Sequence, residues 1–493
     1  MKLKIKFLKW SAGIPVAMLH KDTASKLGVQ TKGRISLKKL TKYTREFNTV
    51  VNTVEGLVRK NEIAVSSEIR KIMKLKRGQN IDVNLSEPSI SLSLIKKKLN
   101  NKKLSQKEIE EIVSDIVSNE LSEAEIALFV SSMYSNGMSS EETISLIKAI
   151  LKFGNSLNLK QKFIVDKHSI GGIPANRTTP LVVAICAAAG LTVPKSSSKA
   201  ITSAAGTADT MEVLAPVEFS LKELKKILKK TNAFLVWGGA LGMVPADSEI
   251  IRIEKTLKID PEAQMLASIM SKKLAAGSNY ILIDIPYGKT AKVTRKQGLK
   301  LKKKFEAIGK SFHKKLKVVL TKGDQPIGNG IGPVLEMIDI LKILDPKEEG
   351  PKDLEKKSLF LAGEIFEMTK KTKLGKGYEK AEKILLSGKA LDKFKEIIRA
   401  QGGLMKIPTP GKFKRDILSK KTGKISEFHN KLTNLLARAA GCPADKASGI
   451  YLYVHKGDKI KKGEKLFTIY SESESRLNAA IRFHQKNKII KIK

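Results

Sequence analysis

Two consecutive strand, loop and helix patterns between residues 163 and 218 constrain this chain more than any other feature. The stretch reads FIVDKHSIGGIPANRTTPLVVAICAAAGLTVPKSSSKAITSAAGTADTMEVLAPVE. A short apolar strand over 163–165 runs into Asp166-Lys167-His168-Ser169-Ile170-Gly171-Gly172, and Thr178 and Pro180 then open an apolar helix that ends near Gly190. Thr192 and Val193 restart a strand, which feeds the donor-rich turn Lys195-Ser196-Ser197-Ser198-Lys199, followed by Thr202, Ser203, Gly206 and Thr207. Strands alternating with helices predict an α/β fold with a parallel sheet. Glycines let the backbone approach a ligand, while lysines and hydroxyls at helix N-termini supply what a phosphate oxyanion needs. Gly, Ser and Thr are also ordinary turn residues, so residue types alone leave both readings open.

The wording of the two loops narrows the choice. DKHSIGG, followed about thirty residues later by SSSKAITSAAGTADTMEVL, resembles the signature of the thymidine and pyrimidine-nucleoside phosphorylase family, in its archaeal AMP phosphorylase branch. The resemblance extends over about 104–403, and both flanks look like that branch too. It implies phosphorolysis of nucleoside 5′-monophosphates (AMP, with CMP and UMP as further candidates) to free base and ribose 1,5-bisphosphate. Inorganic phosphate would be the co-substrate, with no cofactor.

By the same resemblance Asp260 would be the catalytic proton donor, and Lys167, Ser169, Ser197 and Thr207 would hold the attacking phosphate. Gly172, Ser198, Lys199, Ala200, Ile201, Thr202, Ser203, Thr207, Ser268, Lys272 and Lys292 would bind the nucleotide. Asp260 precedes Pro261, so it is also a natural helix N-cap. Two departures stand out. Lys199 occupies a position where the branch is expected to carry Arg, which keeps the charge and loses the bidentate fork. Where pyrimidine-nucleoside members carry an Arg-Asp step, this chain has Arg252-Ile253-Glu254-Lys255, which weakens a thymidine or pyrimidine-nucleoside reading. A basic nucleotide- or RNA-binding protein without activity is the alternative of another class.

At 493 residues the chain has room for roughly three or four domains. Residues 1–84 read as a small β-rich barrel, because Ala17-Met18-Leu19, Leu27, Gly33 and Ile35 recur as Ala64-Val65, Met73, Gly78 and Ile81, an offset of about 46. The copies suggest pseudo-symmetry and resemble double-psi barrels. A helical domain is expected over 85–158 plus 247–277, opened by the capping boxes Ser105/Glu108, Ser122/Glu125 and Ser139/Glu142. The central α/β domain takes 159–246 plus 278–403, and a C-terminal α/β domain takes 404–493. Ser268 and Lys272, four apart and so on one helix face, fall with Asp260 in the helical domain. Reaction would then require domain closure, with Gly154 and Gly238-Gly239 as hinges.

The net charge of +43 raises the question of nucleic acid. The lysines are spread along the whole chain, densest at 96–103, 300–317 and from Lys486, and only 5% of residues are aromatic, which leaves few stacking platforms. A lysine-biased surface that attracts anionic substrates is the expectation. No apolar run reaches the eighteen or so residues that span a bilayer, and MKLKIKFLKW alternates like a strand rather than a signal peptide. A cytoplasmic enzyme is expected, a homodimer or larger by family analogy. Two cysteines and six scattered histidines without HxH or HExxH spacing indicate neither disulfides nor a metal. Gly328, Gly330 and Gly332 give GxGxG, and Walker A and GxSxG motifs are missing.

Overall fold

The computed structural model of the chain describes residues 1–8, 15–40, 46–86, 89–200, 203–240, 242–406 and 409–493. It divides into two units, 1–153 with 245–265, and 154–244 with 266–493.

The first unit begins with strands β1 (Lys2–Lys6) and β2 (Val16–His20), helix α1 (Lys21–Leu27) and strand β3 (Arg34–Lys39), followed by β4 (Phe47–Val54), β5 (Glu62–Val65), α2 (Ser67–Met73) and β6 (Asn80–Leu85). The strands close into a six-stranded barrel, β1-β5-β2-β4-β3-β6. The offset read from the sequence is that of the elements, since Val16, Lys21 and Arg34 stand 46 residues before Glu62, Ser67 and Asn80. Among the described residues every strand pairing joins one of β1–β3 to one of β4–β6. Leu19, Ile35, Leu37, Val51, Ile63, Ile81 and Val83 fill the interior.

Helices α3 (Ser91–Leu99), α4 (Gln106–Val117), α5 (Glu123–Asn136) and α6 (Ser140–Lys152) follow. Ser105, Ser122 and Ser139 each accept from the backbone N–H three residues on, and the glutamate there returns the bond, so all three capping boxes form. A buried pair between Lys98 and Glu142, 2.9 Å apart, joins α3 to α6.

The second unit supplies β7 (Val165–Ser169), α7 (Thr178–Ala188), β8 (Val193–Ser197), α8 (Thr207–Met211), α9 (Leu221–Thr231) and β9 (Ala233–Trp237). The chain returns to the first unit with α10 (Pro245–Leu257), where Arg252 pairs with Glu123 at 2.5 Å and Glu249 at 3.0 Å. The boundary between units falls inside α11 (Glu262–Ala275). Ser268 and Lys272, expected in the helical domain, belong with Leu266 onward to the second unit. The chain continues through β10 (Tyr280–Tyr287), α12 (Arg295–Ser311), β11 (Lys315–Lys322), β12 (Gly330–Ile331), α13 (Pro333–Leu344), α14 (Lys352–Met368), α15 (Gly377–Leu386) and α16 (Lys389–Ala400).

Strands β11-β10-β7 and β8-β9 are parallel, and a bridge between Ile164 and Thr192 links β7 to β8. The ends of β7 and β8 therefore open on one edge of one sheet, as the two loop patterns require. Helix α7 is buried at every residue but its last, Ala188, which explains its unbroken apolar run.

The last module comprises β13 (Phe413–Leu418), β14 (Gly423–Phe428), α17 (Asn430–Ala440), β15 (Gly449–Leu452), β16 (Lys459–Ile460), β17 (Lys465–Ser471), α18 (Glu474–Lys486) and β18 (Ile490–Ile492). β12 joins its sheet in the order β12-β15-β17-β13. Its core takes in Ala175 and Ala204 from the two donor loops. Among the described residues no helix is long and apolar enough to cross a membrane, and no three His, Cys, Asp or Glu side chains gather as a metal site.

Candidate active site

The apolar reading ended the first strand at Val165, whereas β7 runs on to Ser169. Asp166 and Lys167 are buried there because each finds a charged or polar partner. Asp166 lies 2.9 Å from Lys195 and 3.0 Å from Lys273. Lys167 donates from Nζ to Thr178 Oγ1 at 2.5 Å. Side chains of directly opposed residues share a sheet face, and Asp284 of β10 is opposed to Ser169. Lys167, Ser169 and Asp284 therefore face the same side. Asp284 is held by Lys357 Nζ at 3.0 Å and by the hydroxyl of Thr321 at 2.6 Å.

Four buried lysines, Lys167, Lys195, Lys273 and Lys357, thus share two buried carboxylates, Asp166 and Asp284. The imbalance is written into their acidities. Burial pulls Lys167 down to about 7 despite the raising influence of Asp284. It also pulls Lys273 below the ordinary lysine value, against the raising influence of Asp166. Burial first, then Lys273, Lys195, Lys167 and Lys272, push His168 well below its ordinary value and hold it neutral. An anion entering here meets concentrated positive charge in a desolvated setting.

Hydroxyl groups complete the edge. The Oγ atoms of Ser169, Ser196 and Ser197 are buried and have no hydrogen-bond partner, a condition that native proteins seldom tolerate without a ligand or water to satisfy it. Thr207 accepts from Arg177 at 3.1 Å, which leaves its own proton to donate. Arg177 also pairs with Glu336 at 2.7 Å and donates to the Ala205 carbonyl at 2.9 Å.

The second loop is held from below and behind. Asp209 accepts from the N–H groups of Ala200 and Gly206, both at 2.7 Å, closing the turn. A Cβ on Gly206 would stand 2.4 Å from the Ser198 carbonyl, so only glycine fits. Asn434 of α17 accepts from Ala204 N–H at 3.1 Å, and Arg438 donates to the Ser203 carbonyl at 3.3 Å. Lys199 is drawn to Glu212 (3.2 Å) and Glu218 (3.4 Å) and lies 4.7 Å from the centre of the Trp237 ring. Burial opposes its charge, but the two glutamates win and hold its pKa above the ordinary lysine value. Ser203 spends its hydroxyl proton on the Ala205 carbonyl. Ile201 and Thr202 lie outside the described residues.

Gly172 adopts φ +91°, and a Cβ there would stand 2.7 Å from the Cβ of Lys292. The turn carrying Lys292 is thereby seated on the first loop. Lys272 donates to Ser268 at 2.7 Å, the i to i+4 contact read from the sequence. Gly238 brings this helix beside the second strand, since a Cβ on it would meet Ser196 Cβ at 3.6 Å and Lys272 Cδ at 3.8 Å. Asp260 belongs to the first unit, separate from the unit carrying these loops. Thr178, Arg177, Asp284, Lys273 and Asn434 escaped the sequence reading. The consecutive Thr178-Thr179 at a helix start is the one local signal; the others act through partners from about thirty to more than two hundred residues away in the chain.

Residues 92–154 match the glycosyl transferase family helical bundle domain, 161–391 its a/b domain, and 424–491 the pyrimidine nucleoside phosphorylase C-terminal domain. The chain is 39% identical to the AMP phosphorylase of Methanococcus aeolicus over 99% of its own length and 97% of that protein. It is 47% identical to the AMP phosphorylase of Pyrococcus abyssi over 89% and 88%, and 40% identical to a putative thymidine phosphorylase of Legionella pneumophila over 86% and 82%. In fold it is similar to anthranilate phosphoribosyltransferase from Thermus thermophilus, with a TM-score of 0.53 at 18% identity, covering 62% of this chain and 99% of that one.

Proposed function

The chain belongs to the AMP phosphorylase family, and from that membership we propose that it is a pentosyltransferase converting AMP and phosphate into adenine and ribose 1,5-bisphosphate. The observation that carries the reading is the surplus of buried lysines beside the unpartnered hydroxyls of Ser169 and Ser197, at the ends of two adjacent parallel strands. An oxyanion at this edge would satisfy both features at once.

In this reading Lys167, Ser169, Ser197 and Thr207 hold phosphate, joined by Thr178, whose hydroxyl accepts from Lys167 and keeps its proton for the ligand. A phosphate oxygen bonds to C1′ as the C1′–N bond breaks; the bonding pair leaves with the base, and Asp260 supplies the proton that neutralises it. Positioning and fixed positive charge do most of the work, because the sugar becomes cation-like while the attacking group stays anionic. The 5′-phosphate needs donors of its own, and Ser198, Lys199, Ser203, Ser268, Lys272 and Lys292 are assigned to it and to the nucleoside, Ser203 by turning its hydroxyl from the Ala205 carbonyl to the ligand, with Gly172 and Ala200 as backbone walls. Lys199 reaches a ligand by leaving Glu218, the longer and more exposed of its two ion pairs.

Parallel assays on AMP and adenosine test this assignment. Removing the substrate's phosphate strands donors built for it, so kcat/KM for AMP should exceed that for adenosine by about a hundredfold or more, and Lys292→Ala should shrink the ratio. Equal efficiency on both, or preference for thymidine, refutes it.

A further inference from the structure

An open cavity of about 770 Å³ lies among the end of β11, the first turn of α14 and the C-terminal module. It includes the Lys456-Gly457 turn, which has no part in the proposed reaction. Lys322, Lys357, Lys424 and Lys456 line it, against Asp324 and Asp353. Asp353 is already committed, accepting from Gly328 N–H at 3.2 Å. The ammonium groups of Lys322, Lys424 and Lys456 have no acceptor among the described residues.

The two side chains that grip the Asp284 carboxylate, Thr321 at 2.6 Å and Lys357 at 3.0 Å, both form part of this wall. Lys357 is nine-tenths buried, and its Nζ makes that ion pair without a well-aligned hydrogen bond. An ammonium carries three N–H donors, so a contact with one carboxylate oxygen leaves donors for a group in the cavity. The same Asp284 shares its sheet face with Lys167 and Ser169, so this carboxylate touches two residues of the cavity wall and faces the side of the loop assigned to the attacking phosphate.

We propose that this cavity is a second oxyanion site, taking a small phosphorylated metabolite, whose occupancy is transmitted to Lys167 through Lys357 and Asp284. A bound anion competes with Asp284 for the Lys357 ammonium. Released from it, the Asp284 carboxylate bears more fully on Lys167, which keeps its proton and holds phosphate more tightly. The coupling rests on the role proposed for Lys167; the site itself does not.

Tungstate, a heavy oxyanion located by anomalous scattering, tests the site in crystals of the full chain and of the double variant Lys424→Glu/Lys456→Glu. The expected result is a peak within hydrogen-bonding distance of Lys357 in the parent, lost in the variant, with any peak at Lys167 and Ser169 unchanged. Tungstate absent from Lys357, scattered on exposed lysines only, or retained in the variant overturns the site. An empty Lys167 loop beside a filled cavity would instead count against the proposed reaction. For the coupling, pyrophosphate is titrated into assays at subsaturating phosphate. The parent rate should first rise, by about fivefold, the lower end of usual coupling between sites, and then fall as pyrophosphate competes for the catalytic loops; the variant should only fall. Superimposable falls in the two proteins overturn the coupling.

Discussion

Replacing Lys167 by Met should make the ligand-free protein more stable and the enzyme nearly inert. The folded protein holds this lysine at about 7 against an ordinary value of 10.5, and each unit is worth about 1.4 kcal/mol. Keeping it protonated therefore costs the fold roughly 5 kcal/mol at pH 6, where both folded and unfolded chains carry the proton. Between pH 7 and 10.5 the unfolded chain binds the extra proton, so stability rises with pH and the penalty disappears. Methionine removes the whole dependence at similar volume. It also takes one of two cations from Asp284, but Lys357 remains 3.0 Å away, so a net gain of about 1–3 kcal/mol is expected at pH 6 to 7. Urea unfolding of parent and variant across pH 6 to 10 measures this, because subtracting the curves cancels the groups that do not interact with Lys167. The parent should gain on the variant as pH rises, with a limiting slope of about 1.4 kcal/mol per unit. Parallel curves would refute the account of a strained, ligand-seeking lysine. Turnover by the variant should fall about a hundredfold or more, and phosphate should no longer raise its stability.

Three further outcomes follow from the same geometry. Ser197→Ala deletes a hydroxyl that has no partner in the ligand-free protein, so urea midpoints should be unchanged while KM for phosphate rises about tenfold, the worth of one hydrogen bond to a charged group. Asp260→Asn should lower kcat by about a hundredfold or more with phosphate binding, read by calorimetry, intact; an unchanged kcat would remove Asp260 from proton donation. Gly172→Ala forces a side chain onto a φ of +91° and within 2.7 Å of Lys292 Cβ, so kcat/KM for AMP should fall at least about tenfold, whereas Gly171→Ala, with open space around its Cβ position, should fall less.

What could be read in the sequence was whatever local chemistry dictates. Ser105, Ser122 and Ser139 start helices because each satisfies an orphan N–H three residues on, and that arithmetic needs no tertiary structure. The strands β7 and β8 were legible in part. Their apolar beginnings showed, but Asp166, Lys167, Lys195 and Ser196 look like turn residues until burial partners are known. Those partners lie far along the chain: Lys273 for Asp166, and Asp284 facing Lys167. Periodicity carries no information about pairs at that separation. Lys199 is read from the sequence as a nucleotide-binding cation, and the loop between it and Glu212 and Glu218 hides that both glutamates restrain it. The C-terminal module gave no sign that Asn434 and Arg438 would brace the second loop.

The barrel at the start of the chain has a consequence for how it comes into being. Because every pairing among its described strands crosses from β1–β3 to β4–β6, a nascent chain that has emerged only as far as β3 has no strand to add to another. It can form α1 and nothing larger, and must wait for the second copy before any sheet exists. Such nonlocal closure slows folding, and it leaves no half-built sheet with an open edge to aggregate. The same interdigitation means that a single copy of the motif, freed from its twin, would find its complement in another molecule of itself. A two-chain barrel of identical halves is thus geometrically compatible with the motif, each half presenting the strand edges that the other needs.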